Sequence, residues 1–583
     1  MKKYTADFET AVWKADETWV WAWATCEIGN ESNINIGNSI ETFIEFCQKE
    51  KNAVFYFHNL KFDGSFLIYW ALSNGFKHVQ KKEDIEDKTF TTLISDLGMF
   101  YELTFYYKKG NKKVHKTTFI DSLKIINMSV DAIAKTYGLP ISKLKIDYKQ
   151  ERPKGHELTI EEREYIKNDV LIVAKALKVL FDEGLTKMTS ASNALNDFKT
   201  LMKAQKFMHY FPSLDKNIDK DIRQSYKGGF TYLNPIYKEK TVYNVVNLDV
   251  NSLYPSVMMY EKMPIGDPIF FNGQYKQDNI YDLYIQMIFC SGFKIKKNKI
   301  PTIQLKNHRF YFGNEYIEQT RSDEDGIVLV LTNIDLEMFL DHYDVYDLQY
   351  VSGWKFRSIN GLFTDYIDKW IAKKNEGTIT GNKGQRAMAK MMLNSLYGKF
   401  ATSLEVQSKI PYIGDDEIIH YMLSDPKDKE GIYIPIGCFI TAYARAKTIK
   451  TSQAIKEYSI NKYGQDMYIY SDTDSIKTLL PVEELKQFCD IDDVKLGAWK
   501  NEGIASKGKF IRQKCYLEEI DGEVHITCAG MPKSCYKYVN WEDFKVGFSC
   551  EGKLTFKNVK GGVILVDTDF TIKEEKSMIN KKL

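Results

Sequence analysis

The sequence predicts an α+β protein divided into several domains, and three observations carry that prediction. A chain of 583 residues is too long for a single hydrophobic core, so about three or four domains are expected. Short runs of β-branched and aromatic residues end at acidic residues in several places, which is typical of strands that lead into turns. Residues 383–397 are instead rich in strong helix formers.

Two carboxylates, Asp472 and Asp474, lie one residue apart in the segment YSDTDS at 470–475, between two strand-like runs. They are therefore expected at the tip of a hairpin. Two such groups without a basic neighbour in the sequence repel each other, and a bound divalent cation relieves that repulsion. For this segment alone, a polar turn in which Asp and Thr bond their own backbone remains the alternative.

Asp249 adds a carboxylate of the same kind. The β-branched run that begins at Val245 ends there, and a short polar turn precedes Pro255. A strand-end acid beside an acidic hairpin would hold two hard cations through oxygen ligands. Taken alone, Asp249 could be a strand-end cap.

The predicted helix at 383–397 presents several polar side chains on one face. Arg386, Lys390, Asn394 and Tyr397 recur at three- and four-residue spacing. Two cations, an amide and an aromatic ring suit a triphosphate with a base stacked beyond it. Gly398 is expected to cap the C-terminus of this helix. A solvated amphipathic face is the alternative.

The N-terminal third carries a second set of acids. Asp7 and Glu9 share one face of a predicted strand, Asp63 follows another strand, and Tyr165 and Asp169 lie one turn apart on a predicted helix. Four carboxylates from three segments could hold two metal ions, with the tyrosine orienting an attacking water. For the first two acids alone, ordinary surface positions are the alternative.

Three segments, in this order, resemble motifs of the family B DNA polymerases: DxxSLYP at 249–255, KxxxNSxYG at 390–398 and YxDTDS at 470–475. The resemblance implies a right-hand polymerase with palm, fingers and thumb. It implies that Asp249, Asp474 and the carbonyl of Val250 bind metal with Asp472 close by, that Lys390 grips the triphosphate, and that Tyr254 and Tyr397 line the nucleotide pocket. The ring of Tyr254 would leave no room for a 2′-hydroxyl.

The N-terminal acids resemble the DEDD-type 3′–5′ proofreading exonucleases, which have an RNase H-like fold. The resemblance implies metal binding by Asp7, Glu9, Asp63 and Asp169, with Tyr165 in catalysis and Lys143 assisting the site, although Lys145 lies close by. It implies a single-stranded DNA site made by Thr10, His58, Asn59, Phe62, Ser122, Leu123 and Tyr148. Aromatic rings suit that role because they stack on any base, and core packing is the alternative for Phe62.

Further motifs of the polymerase family are YxGG at 226–229, where a glycine pair lets backbone amides approach phosphate, and the segments 441–445 and 514–516. The resemblance implies DNA contacts by Tyr226, Gly228, Gly229, Ser252, Asn394, Gly398, Thr441, Arg445, Lys514 and Tyr516. Among the candidate fingers lysines Lys373, Lys374 and Lys383, we expect Lys374 to contact the incoming triphosphate.

Along nearly its whole length, the chain resembles the protein-primed replicative DNA polymerases of small tailed bacteriophages with linear genomes. That resemblance implies two insertions: the first contacts a priming terminal protein, and the second closes a ring around DNA that aids processivity and strand displacement. The implied domains are an exonuclease at 1–188, a first palm part at 189–260, the first insertion at 261–361, fingers at 362–401, the second insertion at 402–430, a second palm part at 431–527 and a thumb at 528–583.

Composition limits the class of protein. A hydrophobic content of 44% supports folded cores, and the formal charge of +2 is small for a DNA-binding protein. Lysines nevertheless cluster at 108–116, 294–299 and 369–399, so local charge would set phosphate affinity. Nine cysteines without a CxxC pair argue against a disulfide framework or a zinc site. With no signal peptide and no apolar run of ~20 residues, a cytosolic protein is expected.

Together, these features predict a DNA polymerase that uses two Mg²⁺ ions, or Mn²⁺, in each active site. The expected partners are template–primer DNA, dNTPs and a terminal protein that provides the priming hydroxyl. A monomer or a heterodimer with the terminal protein is expected, in the cytoplasm of an infected bacterium. The rivals are a stand-alone nuclease, a non-catalytic DNA-binding scaffold and a reverse transcriptase; complete acid sets and the Asp-Thr-Asp arrangement at 472–474 argue against them.

Overall fold

The structure is a computed structural model that describes residues 1–108, 114–148, 150–276, 278–305, 316–320 and 325–573. Part of the predicted lysine cluster at 108–116 lies outside the described residues. Within the described ranges, no helix combines the length and the apolar character that a membrane crossing requires.

The first part of the chain forms an eight-stranded mixed sheet covered by helices. Its strands are β1 (Lys3–Thr10), β2 (Val20–Glu27), β3 (Asn30–Gly37), β4 (Val54–Phe57), β5 (Lys77–His78), β6 (Thr89–Ile94), β7 (Phe100–Tyr107) and β8 (His115–Asp121). Its helices are α1 (Ile40–Lys49), α2 (Leu60–Ser73), α3 (Val130–Thr136) and α4 (Ile160–Asp182). The strand order is β3-β2-β1-β4-β8-β7-β6-β5, and β1, β4 and β8 run parallel. Because α4 packs against β1 and β2, the acids predicted on β1 and α4 face each other.

Residues 189–361 lead through three helices into a second and a third sheet. The helices are α5 (Ser190–Met202), α6 (Ala204–Tyr210), α7 (Lys216–Arg223), α8 (Leu253–Tyr260) and α9 (Asn333–His342). The strands are β9 (Thr231–Leu233), β10 (Thr241–Val250), β11 (Met263–Asn272), β12 (Leu283–Cys290), β13 (Gly292–Ile295), β14 (Ile327–Thr332), β15 (Tyr343–Tyr346) and β16 (Gln349–Ile359). Strands β11, β16, β12 and β14 form an antiparallel sheet of their own, at the place of the predicted first insertion.

The next segment is helical apart from two small strand pairs. It contains α10 (Thr364–Ile379), α11 (Lys383–Ser395), α12 (Tyr397–Phe400), β17 (Glu405–Val406), β18 (Lys409–Ile413), β19 (Ile419–Leu423), β20 (Lys427–Asp428) and α13 (Ile434–Tyr463). Strands β18 and β19 form an antiparallel hairpin at the place of the predicted second insertion. The predicted cap at Gly398 is wrong, because Leu396 keeps helical dihedrals (φ −74°, ψ −47°) and the chain continues into α12.

The last segment completes the sheet that holds the polymerase motifs. Its elements are β21 (Tyr468–Asp472), β22 (Ser475–Thr478), α14 (Val482–Leu485), β23 (Trp499–Arg512), β24 (Cys515–Ile520), β25 (Glu523–Cys528), β26 (Ser549–Val559) and β27 (Gly562–Thr571). Seven antiparallel strands follow the order β25-β24-β23-β10-β22-β21-β9. This order places β10 directly beside the hairpin of β21 and β22, although the two are far apart in the sequence.

Separate hydrophobic clusters lie under the eight-stranded sheet, between α9 and strands β12 and β14, and beneath β26 and β27. Several cores and mixed secondary structure confirm the predicted α+β multidomain class. The exact domain boundaries stay a prediction.

Candidate active sites

Asp249 and Asp474 meet across neighbouring strands of the seven-stranded sheet. Asp249 on β10 pairs with Ser475, the first residue of β22, and the amide of Val250 donates to the carbonyl of Asp474 at 2.7 Å. Burial, followed by the charge of Asp474, raises the pKa of Asp249 to about 7. Two partly buried carboxylates this close destabilise each other unless a cation neutralises them. The two acids therefore fit a divalent metal ion.

The turn that carries Asp474 has a strained backbone. Thr473 adopts a positive φ of 58°, a region that β-branched residues avoid. Its amide donates to the carbonyl of Phe230 at 2.7 Å, and its carbonyl accepts from Thr448 Oγ1 at 2.7 Å. A Cβ on Gly229 would lie only 2.5 Å from Thr473 Oγ1. The YxGG segment thus packs directly against the acidic turn.

Asp472 has a different environment from the other two acids. Lys514 Nζ lies 2.8 Å from both of its carboxylate oxygens, and Thr231 Oγ1 donates to it at 3.1 Å. Lys514 is on the turn between β23 and β24, and its amide donates to the hydroxyl of Tyr470 at 2.9 Å. The charge of Asp472 is therefore balanced within the protein by a basic neighbour that the local sequence did not reveal.

Two tyrosines form an aromatic wall beside the acids. The rings of Tyr254 and Tyr397 stack with their centroids 3.9 Å apart and 17° between their planes. Burial and the charge of Asp474 both act to raise the pKa of Tyr397, so this ring lies near the acidic turn. The structure brings together the two rings that the sequence assigned to one pocket.

Three cationic side chains, those of Arg386 and Lys390 on α11 and Lys374 on α10, lie close together near the exposed face of α11. Arg386, Lys390 and Asn394 are all exposed there, as the helical spacing predicts. Burial, followed by the charges of Arg386 and Lys390, lowers the pKa of Lys374 on α10. A cluster of like charges is costly unless an anion neutralises it. The cluster is therefore suited to a polyphosphate.

The other two candidate lysines of this region have different neighbours. Lys373 Nζ forms an ion pair with Glu183 at 2.5 Å. The side chain of Lys383 packs against Gly138 of the first part of the chain. The geometry therefore supports Lys374 as the triphosphate contact, although that role stays a prediction.

The second acid set lies between β1 and α4. Asp7, Glu9 and Asp169 each place an oxygen within 4.8 Å of the others. Burial and the charge of Asp169 raise the pKa of Asp7 to about 7, and burial with the charge of Asp7 raises the pKa of Glu9. Asp63 lies beside this group, because its Oδ1 accepts from the amide of Phe8 at 3.2 Å and the charge of Asp7 adds to burial in raising its pKa.

The donor set of this second site also fits a divalent metal ion. Among the described residues, Asp169 Oδ1 is buried without a hydrogen-bond partner, whereas Asp169 Oδ2 accepts from Lys143 Nζ at 2.6 Å. A buried carboxylate oxygen without a donor is costly unless a cation binds it. Lys145 is exposed, so the structure places Lys143 rather than Lys145 at the site.

Two tyrosine hydroxyls meet at the edge of this site. Tyr148 and Tyr165 are 2.6 Å apart, oxygen to oxygen. Tyr165 is 2% exposed and Tyr148 is 50% exposed. Burial, followed by the charges of Glu9 and Asp169, raises the pKa of Tyr165. Tyr165 therefore keeps its proton. The ring of Tyr148 is exposed, so a nucleobase of DNA could stack on it.

Some predicted DNA contacts are buried and bonded within the protein. Thr10 and Ser122 belong to the buried residues. Ser122 Oγ donates to the carbonyl of Phe57 at 2.9 Å and lies 3.0 Å from Nδ1 of His58. Ser122 is thus bonded within the protein and positions His58, and the DNA contacts of Thr10 and Ser122 stay predictions.

Thr441 and Arg445 on α13 are also buried and bonded within the protein, and their DNA contacts stay predictions. Thr441 Oγ1 donates to the carbonyl of Gly437 at 2.9 Å. Arg445 Nη1 donates to the carbonyls of Lys227 at 2.7 Å and Gly228 at 2.9 Å. Both side chains are buried because α13 lies between the YxGG segment and the first insertion. Arg445 thus fixes the backbone of the YxGG segment against α13.

The remaining predicted DNA contacts keep part of their surface exposed, and their roles stay predictions. They are His58, Asn59, Phe62, Leu123, Tyr148, Tyr226, Gly228, Gly229, Ser252, Asn394, Gly398, Lys514 and Tyr516.

The sequence interpretation missed Asp121, at the end of β8. Its Oδ1 accepts from the amides of Asn59, Leu60 and Leu123 at 3.0–3.3 Å. It thereby fixes Asn59, which has a positive φ of 86°, and Leu123. A carboxylate at a strand end, the signal used for Asp249, could have identified it.

Comparison with known proteins agrees with this geometry. The family model described as DNA polymerase type B, organellar and viral, matches residues 44–488. The DNA polymerases of Bacillus phages M2 and phi29 are 43% and 42% identical to this chain, over 98% of it and 100% and 99% of theirs. The DNA polymerase of Streptococcus phage Cp-1 is 32% identical, over 98% of both chains.

Solved structures give the same result. The phi29 DNA polymerase complexed with primer-template DNA and incoming nucleotide substrates matches with a TM-score of 0.90 and 40% identity, over 98% of this chain and 100% of that one. The phi29 enzyme complexed with single-stranded DNA matches with a TM-score of 0.89. With a family match over most of its length and relatives that it covers fully, the chain belongs to the type B DNA polymerases of organelles and viruses and is a DNA polymerase with an exonuclease domain.

Proposed function

We propose that this polymerase replicates a linear viral genome by protein-primed initiation, with strand displacement and 3′–5′ proofreading. The observation that carries the proposal is the pairing of β10 with β22, which puts Asp249 beside Asp474. The stacking of Tyr254 on Tyr397 and the cation cluster around Lys374 support the nucleotide-binding part of the proposal.

In nucleotide addition, Asp249, Asp474 and the carbonyl of Val250 would hold two Mg²⁺ ions, or Mn²⁺. When bound, such ions stabilise the charge on the attacking and leaving oxygens of phosphoryl transfer. Lys374 and Lys390 bind the triphosphate and balance charge on the departing pyrophosphate.

The walls of the nucleotide pocket follow from the same arrangement. Tyr254 stacks on Tyr397, and its rigid ring excludes a sugar that carries a 2′-hydroxyl. Lys514, which neutralises Asp472 in this structure, contacts the primer strand together with Tyr516.

In editing, Asp7, Glu9, Asp63 and Asp169 would hold the metal ions of the second site. Tyr165, which keeps its proton, orients the attacking water by hydrogen bonding. Lys143 balances the charge of Asp169. The frayed 3′ end stacks on exposed aromatic rings such as that of Tyr148.

The partners that this function requires are template–primer DNA, dNTPs and a terminal protein, whose side-chain hydroxyl serves as the first primer. The enzyme acts as a monomer or as a heterodimer with that protein, in the cytoplasm of an infected bacterium. The domains are those predicted at 1–188, 189–260, 261–361, 362–401, 402–430, 431–527 and 528–583.

Two separation-of-function variants test the two activities. Asp474→Asn should abolish primer extension while single-stranded DNA is still degraded, and Asp169→Asn should do the reverse. Retention of both activities in both variants would favour a non-catalytic scaffold. Extension without any degradation by the wild-type enzyme would refute proofreading.

A rolling-circle reaction on a primed minicircle without helicase tests strand displacement. Products many circle lengths long are expected. Products of one circle length would contradict the role given to the second insertion. Incorporation of labelled dAMP into a terminal protein, on templates with genome ends, tests protein priming.

A further inference from the structure

A long segment at 137–159 connects α3 to α4, and its described residues, all but residue 149, form no helix or strand. It carries two residues of the exonuclease site, Lys143 and Tyr148. An irregular segment of this length needs fixed contacts before its side chains can be placed accurately. Several contacts of this kind involve its described residues, such as the bond from Asn168 Nδ2 to the carbonyl of Ser142 at 3.3 Å. The side chain of Arg152, which bonds the backbone next to Tyr148, is a buried one.

The side chain of Arg152, in this segment, is buried and only 1% exposed. Its Nη1 donates to the carbonyl of Asp147 at 2.8 Å and of Gln150 at 3.1 Å. Its guanidinium lies over the ring of Trp21 on β2, 4.4 Å from the ring centroid. The carbonyl bonded at 2.8 Å belongs to the residue immediately before Tyr148. Arg152 therefore fixes the backbone from which Tyr148 projects.

The same guanidinium is anchored to the catalytic helix. Arg152 Nε donates to Glu162 Oε1 at 2.6 Å, and both side chains are buried. Glu162 also closes the capping box of α4 with Thr159. Tyr165 and Asp169 follow at three and seven residues, which places them on the same side of the helix as Glu162. One side chain thus joins the irregular segment to the helix that bears the catalytic tyrosine.

We propose that Arg152 is a positioning residue of the exonuclease, which sets the hydroxyl contact between Tyr148 and Tyr165. The inference rests on the proposed editing activity. Arg152 reaches no substrate, since it is enclosed by its own segment, Trp21 and Glu162. It acts by holding the carbonyl of Asp147 at a fixed distance from α4. Only a planar, forked cation can bond the carboxylate and the two carbonyls at once.

The test compares Arg152→Lys, which keeps the charge but loses the fork, with Arg163→Lys as a matched control. Arg163 is exposed on the same helix and donates to the carbonyl of Leu158 at 3.3 Å. Single-turnover degradation of single-stranded DNA should slow about 10- to 100-fold in Arg152→Lys. The Arg163→Lys rate should stay within about twofold. Both variants should extend a primer at the wild-type rate, and this activity shows that each variant is folded.

A double-mutant cycle separates positioning from general destabilisation. Tyr148→Phe removes the hydroxyl contact and should slow degradation in the wild-type background, but it should add little in the Arg152→Lys background. If Arg152→Lys lowers extension as much as degradation, the protein has lost stability generally, and Glu162→Gln is then tested instead. This variant weakens the same Arg152–Glu162 ion pair less severely and should slow degradation alone.

Three results would overturn the proposal. They are degradation by Arg152→Lys at the wild-type rate, additive effects of the two substitutions, and a wild-type rate for Tyr148→Phe. A wild-type enzyme that degrades no DNA would refute the editing activity itself, a result visible before any variant is made.

Discussion

The buried ion pair between Asp335 and Arg445 should be one of the most sensitive points of the polymerase fold. Arg445 on α13 donates three hydrogen bonds to Asp335 on α9, at 2.7–3.2 Å, and both side chains are nearly inaccessible. Replacing Asp335 with Ala leaves the guanidinium with only the carbonyls of Lys227 and Gly228. A buried cation cannot be re-solvated there, and its charge remains uncompensated.

Breaking such a pair from one side costs about 3–5 kcal/mol. For a cooperative unit of 150–250 residues, that cost lowers the thermal midpoint by roughly 6–20 °C. The measurement is differential scanning calorimetry of the wild-type chain and Asp335→Ala at one scan rate. The transition that includes α13 should shift, because the pair joins α13 to the first insertion.

The chain offers a matched control on the same two helices. Glu337 on α9 and Lys450 on α13 approach to 3.9 Å but are exposed, so Glu337→Ala should cost less than about 1 kcal/mol. Replacing both buried partners, with Asp335→Leu and Arg445→Met, should recover much of the lost stability because no unpaired charge remains. Equal midpoints for Asp335→Ala and Glu337→Ala would refute this reasoning.

Three further outcomes are expected. Tyr254→Val should lower the preference for dNTP over rNTP in kcat/KM by roughly tenfold or more, because it removes the ring that we propose to face the sugar; unchanged discrimination would contradict the steric role. Lys374→Ala should raise the KM for dNTP about 10- to 100-fold by removing a charge-assisted contact, whereas Lys373→Ala should not, and equal effects would contradict the assignment. Burial acts to raise the pKa of Glu162, but the hydrogen bonds of its carboxylate have the larger combined effect and lower the pKa from 4.5 to about 2. The ionised carboxylate therefore stabilises the fold fully above pH 4.5, and this stabilisation decreases as the pH falls towards 2. Glu162→Gln should flatten the acid dependence of stability in that window, and an unchanged urea midpoint profile would contradict it.

The positions of the candidate metal-binding acids could be predicted from the sequence for a physical reason. Carboxylates at strand ends and at period two, such as Asp249 and Glu9, leave a local pattern because strand geometry fixes where their side chains point. The helix face that holds Lys390 is equally local. These features depend on neighbours within a few residues, so the sequence displays them directly.

Partners that are supplied by distant segments could not be predicted in this way. The neutralisation of Asp472 by Lys514 depends on the register between β23 and β24, and no local pattern signals it. Arg152 bonds two backbone carbonyls as well as the side chains of Gln150 and Glu162, and the carbonyls carry no residue-specific signal. The family motif that contains Arg445 predicts a DNA contact, but it gives no sign of the buried ion pair with Asp335, which depends on packing against α9. Tertiary context, rather than local pattern, decides these roles.

The YxGG segment is held between α13 and the acidic turn by hydrogen bonds of its backbone. Arg445 holds the carbonyls of Lys227 and Gly228 from one side, and the carbonyl of Phe230 accepts from the amide of Thr473 on the other. Gly229 lies between them with no room for a Cβ against Thr473, whereas a Cβ on Gly228 would meet nothing within 4 Å. The segment therefore cannot move towards the acidic turn without displacing it. Since the segment also connects the exonuclease elements to the seven-stranded sheet, DNA bound along its exposed glycine would bear on the same backbone that holds Asp474.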